Sequence, residues 1–215
     1  MCEETKAIID ELIENRPELK NCKSSIEQAF NLLKQCYTYQ GKVLVCGNGG
    51  SAADSEHIVG ELMKGFRNVR RICDENKERL QDEFPEDAEY LSSNLQGALP
   101  AISLVSQSAV FTAFINDVAA DMIYAQQVYG YGKSGDVLIG ISTSGNSKNV
   151  VNAIKVAKAF GIRTLGLTGE NGGMMDKICD VNIKVPAKET FRIQEYHLPI
   201  YHALCAMLEA EFFKG

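Results

Sequence analysis

VLVCGNGGSAADSEHIVGEL, residues 43–62, joins a short apolar run to a helical pattern through a glycine-rich break. Val43-Leu44-Val45 reads as a buried strand, and Ile58, Val59 and Leu62 mark the apolar side of the helix that follows. Between them, Asn48, Gly49, Gly50 and Ser51 form a turn whose backbone N–H groups point outward at a helix N-terminus. Anions bind at such a turn, aided by the partial positive charge of the helix dipole. One turn further on stand His57 and Glu61, four apart and therefore on one helix face. An anion cradle leading into a His-xxx-Glu pair suits the holding and altering of phosphorylated molecules.

Gly47-x-Gly49-x-x-Ala52 also matches the dinucleotide fingerprint G-x-G-x-x-G/A. That use needs an acidic residue about 20 positions on, at the end of the second strand, to take the ribose hydroxyls. The next strand candidate, Ala101 to Val105, lies far beyond that distance and runs into Ser106-Gln107-Ser108. No carboxylate ends it, so no nucleotide cofactor is expected. The plain alternative for the turn is a glycine break that packs strand on helix.

At 215 residues the chain is expected to form a single domain, 1–215, with a sizeable core. Twenty-two basic against 28 acidic residues argue against general nucleic-acid binding. No apolar run approaches the ~20 residues that span a bilayer, so no membrane partner is expected. The first residues, MCEETKAIIDELIENR, are acidic and amphipathic, unlike a signal peptide. Seven cysteines without a C-x-x-C pair fit a reducing compartment, and a cytoplasmic protein is expected. Cys46, Cys179 and Cys205 read as small buried hydrophobes.

Residues 1–40 read as two helices broken near Pro17. One carries Ile8, Ile9, Leu12 and Ile13 on a face, the other Ile26, Phe30, Leu33 and Tyr37. Both faces must be covered, by the sheet or by another subunit. The charged segment 67–100 lacks strand character and reads as a solvated helical excursion, the alternative being a cover over a neighbouring site. Further strands are expected at 101–105, 136–141, 163–168 and 180–185, with helices at 121–131, 147–160, 174–178 and 192–213. Short apolar strands alternating with helices predict an α/β fold, a three-layer α/β/α sandwich around a five-stranded parallel sheet. Ligands in such sheets sit beyond the carboxyl ends of the strands.

A second loop lies at such an end. Ile139-Gly140-Ile141 leads into Ser142-Thr143-Ser144-Gly145-Asn146-Ser147 and then a helix from Lys148. Ser144 or Asn146 could serve as an N-cap. Three hydroxyls in succession and a fourth at Ser147 exceed what a cap needs, and favour a phosphate site.

GNGGSAADSEH, NDVAADMIYAQQV, GDVLIGISTSGNS, LTGENGGMMDKICDVNIKVP and RIQEYHLPIYH together resemble the sugar isomerase (SIS) domain family, and within it the phosphoheptose isomerase branch. The resemblance runs from Gly41 to Glu209. It implies a five-stranded parallel sheet, a homotetramer with active sites between subunits, and interconversion of sedoheptulose 7-phosphate with D-glycero-D-manno-heptose 7-phosphate. It further implies phosphate contacts from Ser142, Thr143, Ser144 and Ser147, sugar-phosphate contacts from Asn48, Gly49 and Gly50, and hydroxyl contacts from Asn116 and Asp117. His57, Glu61, Gln194 and His202 match four positions that hold a zinc ion in several members, one per subunit. The chain departs from the family pattern after Arg67, where a short link is more usual; this bears on the position of Arg67 and on the site entrance.

Ketose–aldose interconversion moves a proton between adjacent carbons through an enediol. It needs a base near carbon, an acid at the carbonyl oxygen, and a fixed substrate. The resemblance suggests Glu61 as base and His202 as acid, and the chemistry agrees. Standing alone, His202 would read as a core histidine, but two of only three histidines fall at motif positions. Zinc is harder to derive. Glutamine is a poor zinc ligand, and Gln194 and His202 lie about 12 Å of helical rise apart if both are helical. They converge only if Gln194 stands at or before the helix start. An ion there could polarise the carbonyl or be present without being needed. Two other readings stay open: a regulator of the DnaA initiator-associating type, which lacks counterparts of Glu61 and His202, and an isomerase of another phosphosugar.

Overall fold

Five apolar runs form one parallel sheet: β1 (Val43–Gly47), β2 (Ala101–Ser103), β3 (Val137–Ile141), β4 (Arg163–Thr168) and β5 (Val181–Lys184), in the order β2-β1-β3-β4-β5. The computed structural model describes residues 2–213. β1 and β3 are buried at every position, as strands covered on both faces must be. After β1 the chain crosses to β2 on one side and then to β3 on the other. The β1/β3 boundary is therefore the switch point of the sheet, where a crevice opens between diverging loops. Gly47 pairs in register with Ile141, so the two glycine- and serine-rich turns leave the sheet side by side.

The helices are α1 (Glu3–Asn15), α2 (Lys23–Thr38), α3 (Gly50–Met63), α4 (Asp74–Glu83), α5 (Ala88–Asn94), α6 (Ser108–Asp117), α7 (Ile123–Tyr131), α8 (Lys148–Ala159), α9 (Met175–Ile178) and α10 (Thr190–Phe212). Alternation of side chains across the strands divides the core. Val43, Val45, Ile139 and Leu165 meet α1, α2, α3 and α10 on one face, through Ile9, Phe30, Ile58 and Leu204. Leu44, Cys46 and Leu138 meet α7 and α8 on the other, through Val128 and Ile154. Pro17 opens a 3₁₀ turn (Pro17–Cys22) that separates α1 from α2. The apolar stripes of these two helices are largely covered within the chain, by α10 and β5.

Two features differ from expectation. β2 ends at Ser103 rather than at residue 105, and the next ten-residue helix, α6, has no counterpart among the expected elements. SAVFTAFIND spreads apolar residues well beyond the Phe111 and Phe114 side that packs on the core, so its 3.6-residue stripe is poorly marked. It buries none of its residues, and Val110, Ile115 and Val118 are exposed.

The excursion after Arg67 is helical and solvated in its outer part, where α4 buries nothing. Its root is not solvated. Arg70 and Glu209 form a wholly enclosed ion pair at 2.7 Å. Glu209 also accepts the N–H groups of Phe66, Arg67 and Asn68 at 2.8, 2.8 and 3.1 Å. Arg70 donates in turn to the carbonyls of Leu62 and Glu61 at 2.7 and 3.0 Å, closing the C-terminal end of α3. Burial pushes the Glu209 carboxyl up, but the N–H donors and the guanidinium outweigh it and hold it below the usual range. Arg71 and Gln96 then bridge in antiparallel fashion, so the excursion leaves and rejoins the fold at one place.

Candidate active site

The turn after β1 is shaped by its glycines. Gly49 has φ of +57°, a left-handed conformation open to glycine at little cost. A Cβ on Gly50 would stand 2.5 Å from the Gln194 amide nitrogen, so Gln194 of α10 lies directly against the turn. Asn48, Gly49 and Gly50 are exposed at the mouth of the crevice, whereas Ser51 is buried beneath it. The buried Tyr124 hydroxyl braces the turn from below, donating to the Gly47 carbonyl at 2.5 Å with Asn48 Oδ1 at 3.3 Å.

The hydroxyl loop after β3 is tighter than its sequence suggests. Ser142 and Ser147 hydroxyls bond at 2.8 Å, and the Ser144 hydroxyl accepts the Asn146 N–H at 3.2 Å. Gly145 has φ of +67°, and a Cβ there would run into the Gly172 carbonyl. The turn following β4 thus buttresses this loop, with Gly169 N–H donating to Thr143 O and Met174 N–H to Asn146 Oδ1. Ser142 is buried, Thr143 and Ser147 are half-buried and Ser144 is exposed, a graded wall of hydroxyls and N–H groups. Asn48 and Asn149 join the two loops through reciprocal amide hydrogen bonds, both 2.9 Å.

His57, Glu61 and His202 come together beside the same crevice. His57 Nε2 lies 3.3 Å from Glu61 Oε1 and 3.4 Å from His202 Nε2. Its other nitrogen, Nδ1, meets the Tyr201 hydroxyl at 3.0 Å, and that hydroxyl reaches Asp54 Oδ1 at 3.2 Å. A chain Asp54–Tyr201–His57 therefore orients the imidazole. Desolvation raises the Asp54 carboxyl and burial raises the Tyr201 hydroxyl. His202 is lowered, by burial first and by His57 second, so its imidazole is neutral near pH 7. Lys64 Nζ stands 3.4 Å from the other oxygen of Glu61, whose side chain is only 14% exposed.

Gln194 and the Asn116–Asp117 pair lie apart from this cluster. Gln194 falls within α10, which begins at Thr190, so the condition of a position at or before the helix start is not met. About 12 Å of rise separates it from His202. The donor types, two imidazoles and a carboxylate, suit a catalytic zinc. As they stand, no three His, Cys, Asp or Glu side chains among the described residues form a group able to hold a metal ion. Asn116 and Asp117 end the exposed helix α6 and bond each other at 2.7 Å.

Asn149, Tyr124, Tyr201 and Asp54 escaped the sequence reading. Asn149 follows the serine loop by two residues and Tyr201 adjoins His202, but only the tertiary structure pairs them with Asn48 and His57. The described residues include no helix long and apolar enough to cross a membrane.

A family model described as "SIS domain" matches residues 4–95 and 95–169. The phosphoheptose isomerase of Aliarcobacter butzleri is 36% identical over 209 residues, 95% of this chain and 97% of that protein. The one from Clostridium acetobutylicum is 41% identical over 188 residues, 87% of this chain and 83% of its own length. The solved structure of phosphoheptose isomerase from Neisseria gonorrhoeae superposes with a TM-score of 0.73 at 33% identity, over 97% of this chain and 98% of that one. The chain belongs to the SIS domain family and, within it, to the phosphoheptose isomerases, and it is an isomerase.

Proposed function

We propose that this chain interconverts sedoheptulose 7-phosphate and D-glycero-D-manno-heptose 7-phosphate through an enediol. The observation that carries the reading is the contact of a shielded carboxylate, Glu61, with two imidazoles, beside a loop of four hydroxyls at the sheet's switch point. The relatives' name supplies the seven-carbon sugar. Ser142, Thr143, Ser144 and Ser147 hold the phosphate with N–H groups at the start of α8, and Asn48, Gly49 and Gly50 line the crevice beside it, with Ser51 supporting them from beneath. Gln194, set against Gly50, orients substrate oxygens.

In the ketose-to-aldose direction Glu61 takes a proton from carbon 1 and returns it to carbon 2. His202 serves the oxygens, giving a proton to the carbon 2 carbonyl oxygen as the enediol forms and taking one back from the carbon 1 hydroxyl as the aldehyde forms. A neutral imidazole can do this by hydrogen bonding to the developing oxyanion, with no charged acid required. Lys64 and His57 each contact one oxygen of the Glu61 carboxylate and hold it in place. Zinc is part of the proposal: the donor types of His57, Glu61 and His202 would suit it, whereas Gln194, two helical turns from His202 in α10, does not reach them. When bound, the ion would supply Lewis-acid polarisation of a carbonyl.

A homotetramer is proposed as well. Its support is α6, an apolar helix with no buried residue, whose end presents Asn116 and Asp117 where a neighbouring subunit's crevice could receive them. Seven free thiols support a reducing, cytoplasmic setting. The regulatory alternative is disfavoured by the Glu61–His57–His202 contact, which a non-catalytic relative has no use for. Turnover of a panel of ketose and aldose phosphates by the purified protein tests the substrate. The seven-carbon pair should turn over fastest, and faster conversion of a hexose or pentose phosphate would reassign it.

A further inference from the structure

Two primary amides facing each other can adopt either orientation, and a flip exchanges donor for acceptor. Here the orientation is determined. The Val150 N–H can only donate, and it points at an atom of the Asn149 amide 3.0 Å away, which must therefore be Oδ1. The other terminus of Asn149 is then Nδ2, which donates to Asn48 Oδ1, while Asn48 Nδ2 donates back to Asn149 Oδ1. One backbone N–H of α8 thus sets Asn149, which sets Asn48, and each amide keeps one N–H that no group of the described chain uses.

We propose that Asn149 is a positioning residue for the phosphosugar site. It acts through Asn48, fixing that amide so its spare N–H faces the crevice and holding the β1 turn in register with the serine loop. The two loops lie 101 residues apart along the chain at this pair. They leave adjacent strands whose last residues, Gly47 and Ile141, are paired. A phosphate seated on Ser142–Ser147 and a sugar hydroxyl on Asn48 then belong to one preformed site, and neither loop is ordered anew on binding.

This inference rests on the isomerase reading, and a double-mutant cycle separates the two. Kinetics with sedoheptulose 7-phosphate are measured for the wild type, Asn48→Ala, Asn149→Ala and the double variant. Asn48 is exposed and Asn149 half-buried, so each variant should stay folded, with Asn149→Ala melting only a few degrees below the wild type. Asn149→Ala should raise KM about three- to tenfold, the worth of one net hydrogen bond, while kcat changes less than about twofold. Because Asn149 acts only through Asn48, the double variant should be no worse than Asn48→Ala alone. Losses that multiply would instead make Asn149 an independent substrate contact, and a KM for Asn149→Ala equal to the wild type's would leave it no role. Either result overturns the proposal. If the wild type converts no phosphosugar, the isomerase reading fails by itself. The same cycle is then read in the affinity for inorganic phosphate by calorimetry, where the same non-multiplying pattern is expected and multiplying losses refute it.

Discussion

Replacing Glu209 by glutamine removes one charge from the most enclosed ion pair of the chain and keeps its shape. Four donors converge on this carboxylate: Phe66 N–H and Arg70 Nε on Oε1, Arg67 and Asn68 N–H on Oε2. A glutamine offers one oxygen and turns its NH2 group toward the remaining donors, and the Arg70 guanidinium is left buried without a counter-charge. Breaking a buried pair on one side costs about 3–5 kcal/mol. For a domain of this size that is roughly 2–4 °C per kcal/mol, so the melting temperature should fall by roughly 6–20 °C. Calorimetry at pH 7 with an otherwise unchanged protein measures it. Arg70→Met combined with Glu209→Leu should recover only part of the loss. The charge is gone, but three backbone N–H groups still lack an acceptor. Because Arg70 closes the end of α3 at Glu61, both variants should also lower kcat. A Glu209→Gln protein melting within about 2 °C of the wild type would refute the account of this anchor.

Ser144→Leu should weaken binding of sedoheptulose 7-phosphate at least about tenfold in calorimetry, since it removes a hydroxyl and crowds an anion cradle, while the exposed position leaves the melting temperature near that of the wild type. His197 is buried, neither ring nitrogen makes a hydrogen bond of good geometry among the described residues, and burial lowers its pKa to about 4 against an opposing contribution from the Thr168 backbone. The unfolded chain takes up this proton below about pH 6.5 and the native one only near pH 4. Stability should therefore decline as pH falls through that window, and His197→Met should flatten the decline in pH-dependent denaturation. Light scattering at micromolar concentration should give the mass of four chains, and a monomer would remove the proposed role of α6.

The strands were legible to within a residue or two because a parallel sheet buried on both faces demands continuous apolar runs. Val137–Ile141 and Arg163–Thr168 could be little else. Both strand-end loops were legible as turns for a related reason, since clusters of glycine and serine break an apolar strand. α6 was not, because only Phe111 and Phe114 pack on the core while Val110 and Ile115 stay exposed, which blurs the stripe. Arg70 was hidden among the arginines of a charged segment, where nothing local marks the one that turns inward to meet Glu209, 139 residues on. Histidine spacing identified His57 and Glu61 as neighbours, and the contact with His202 follows from the packing of α10 on α3. The Tyr201 and Asp54 supports behind His57 depend on that same packing and left no trace in spacing. Gln194 shows the reverse case, a motif position whose side chain rests against Gly50, two helical turns from His202.

Conversion of sedoheptulose 7-phosphate followed by NMR in deuterated water, for the wild type and for Glu61→Gln, tests the central claim most directly. The wild type should form the aldose and exchange a carbon-bound proton with solvent. Glu61→Gln keeps the size and most hydrogen bonding of the side chain without its basicity. A positioned base is typically worth about 10² to 10⁴ in rate, so turnover and exchange should fall by at least about 10²-fold, with sugar-phosphate affinity retained because the phosphate contacts lie on another loop. Near-normal turnover by Glu61→Gln would contradict the assignment of the base. A wild type that binds the sugar phosphate tightly yet neither converts it nor exchanges its protons would contradict the proposed reaction itself.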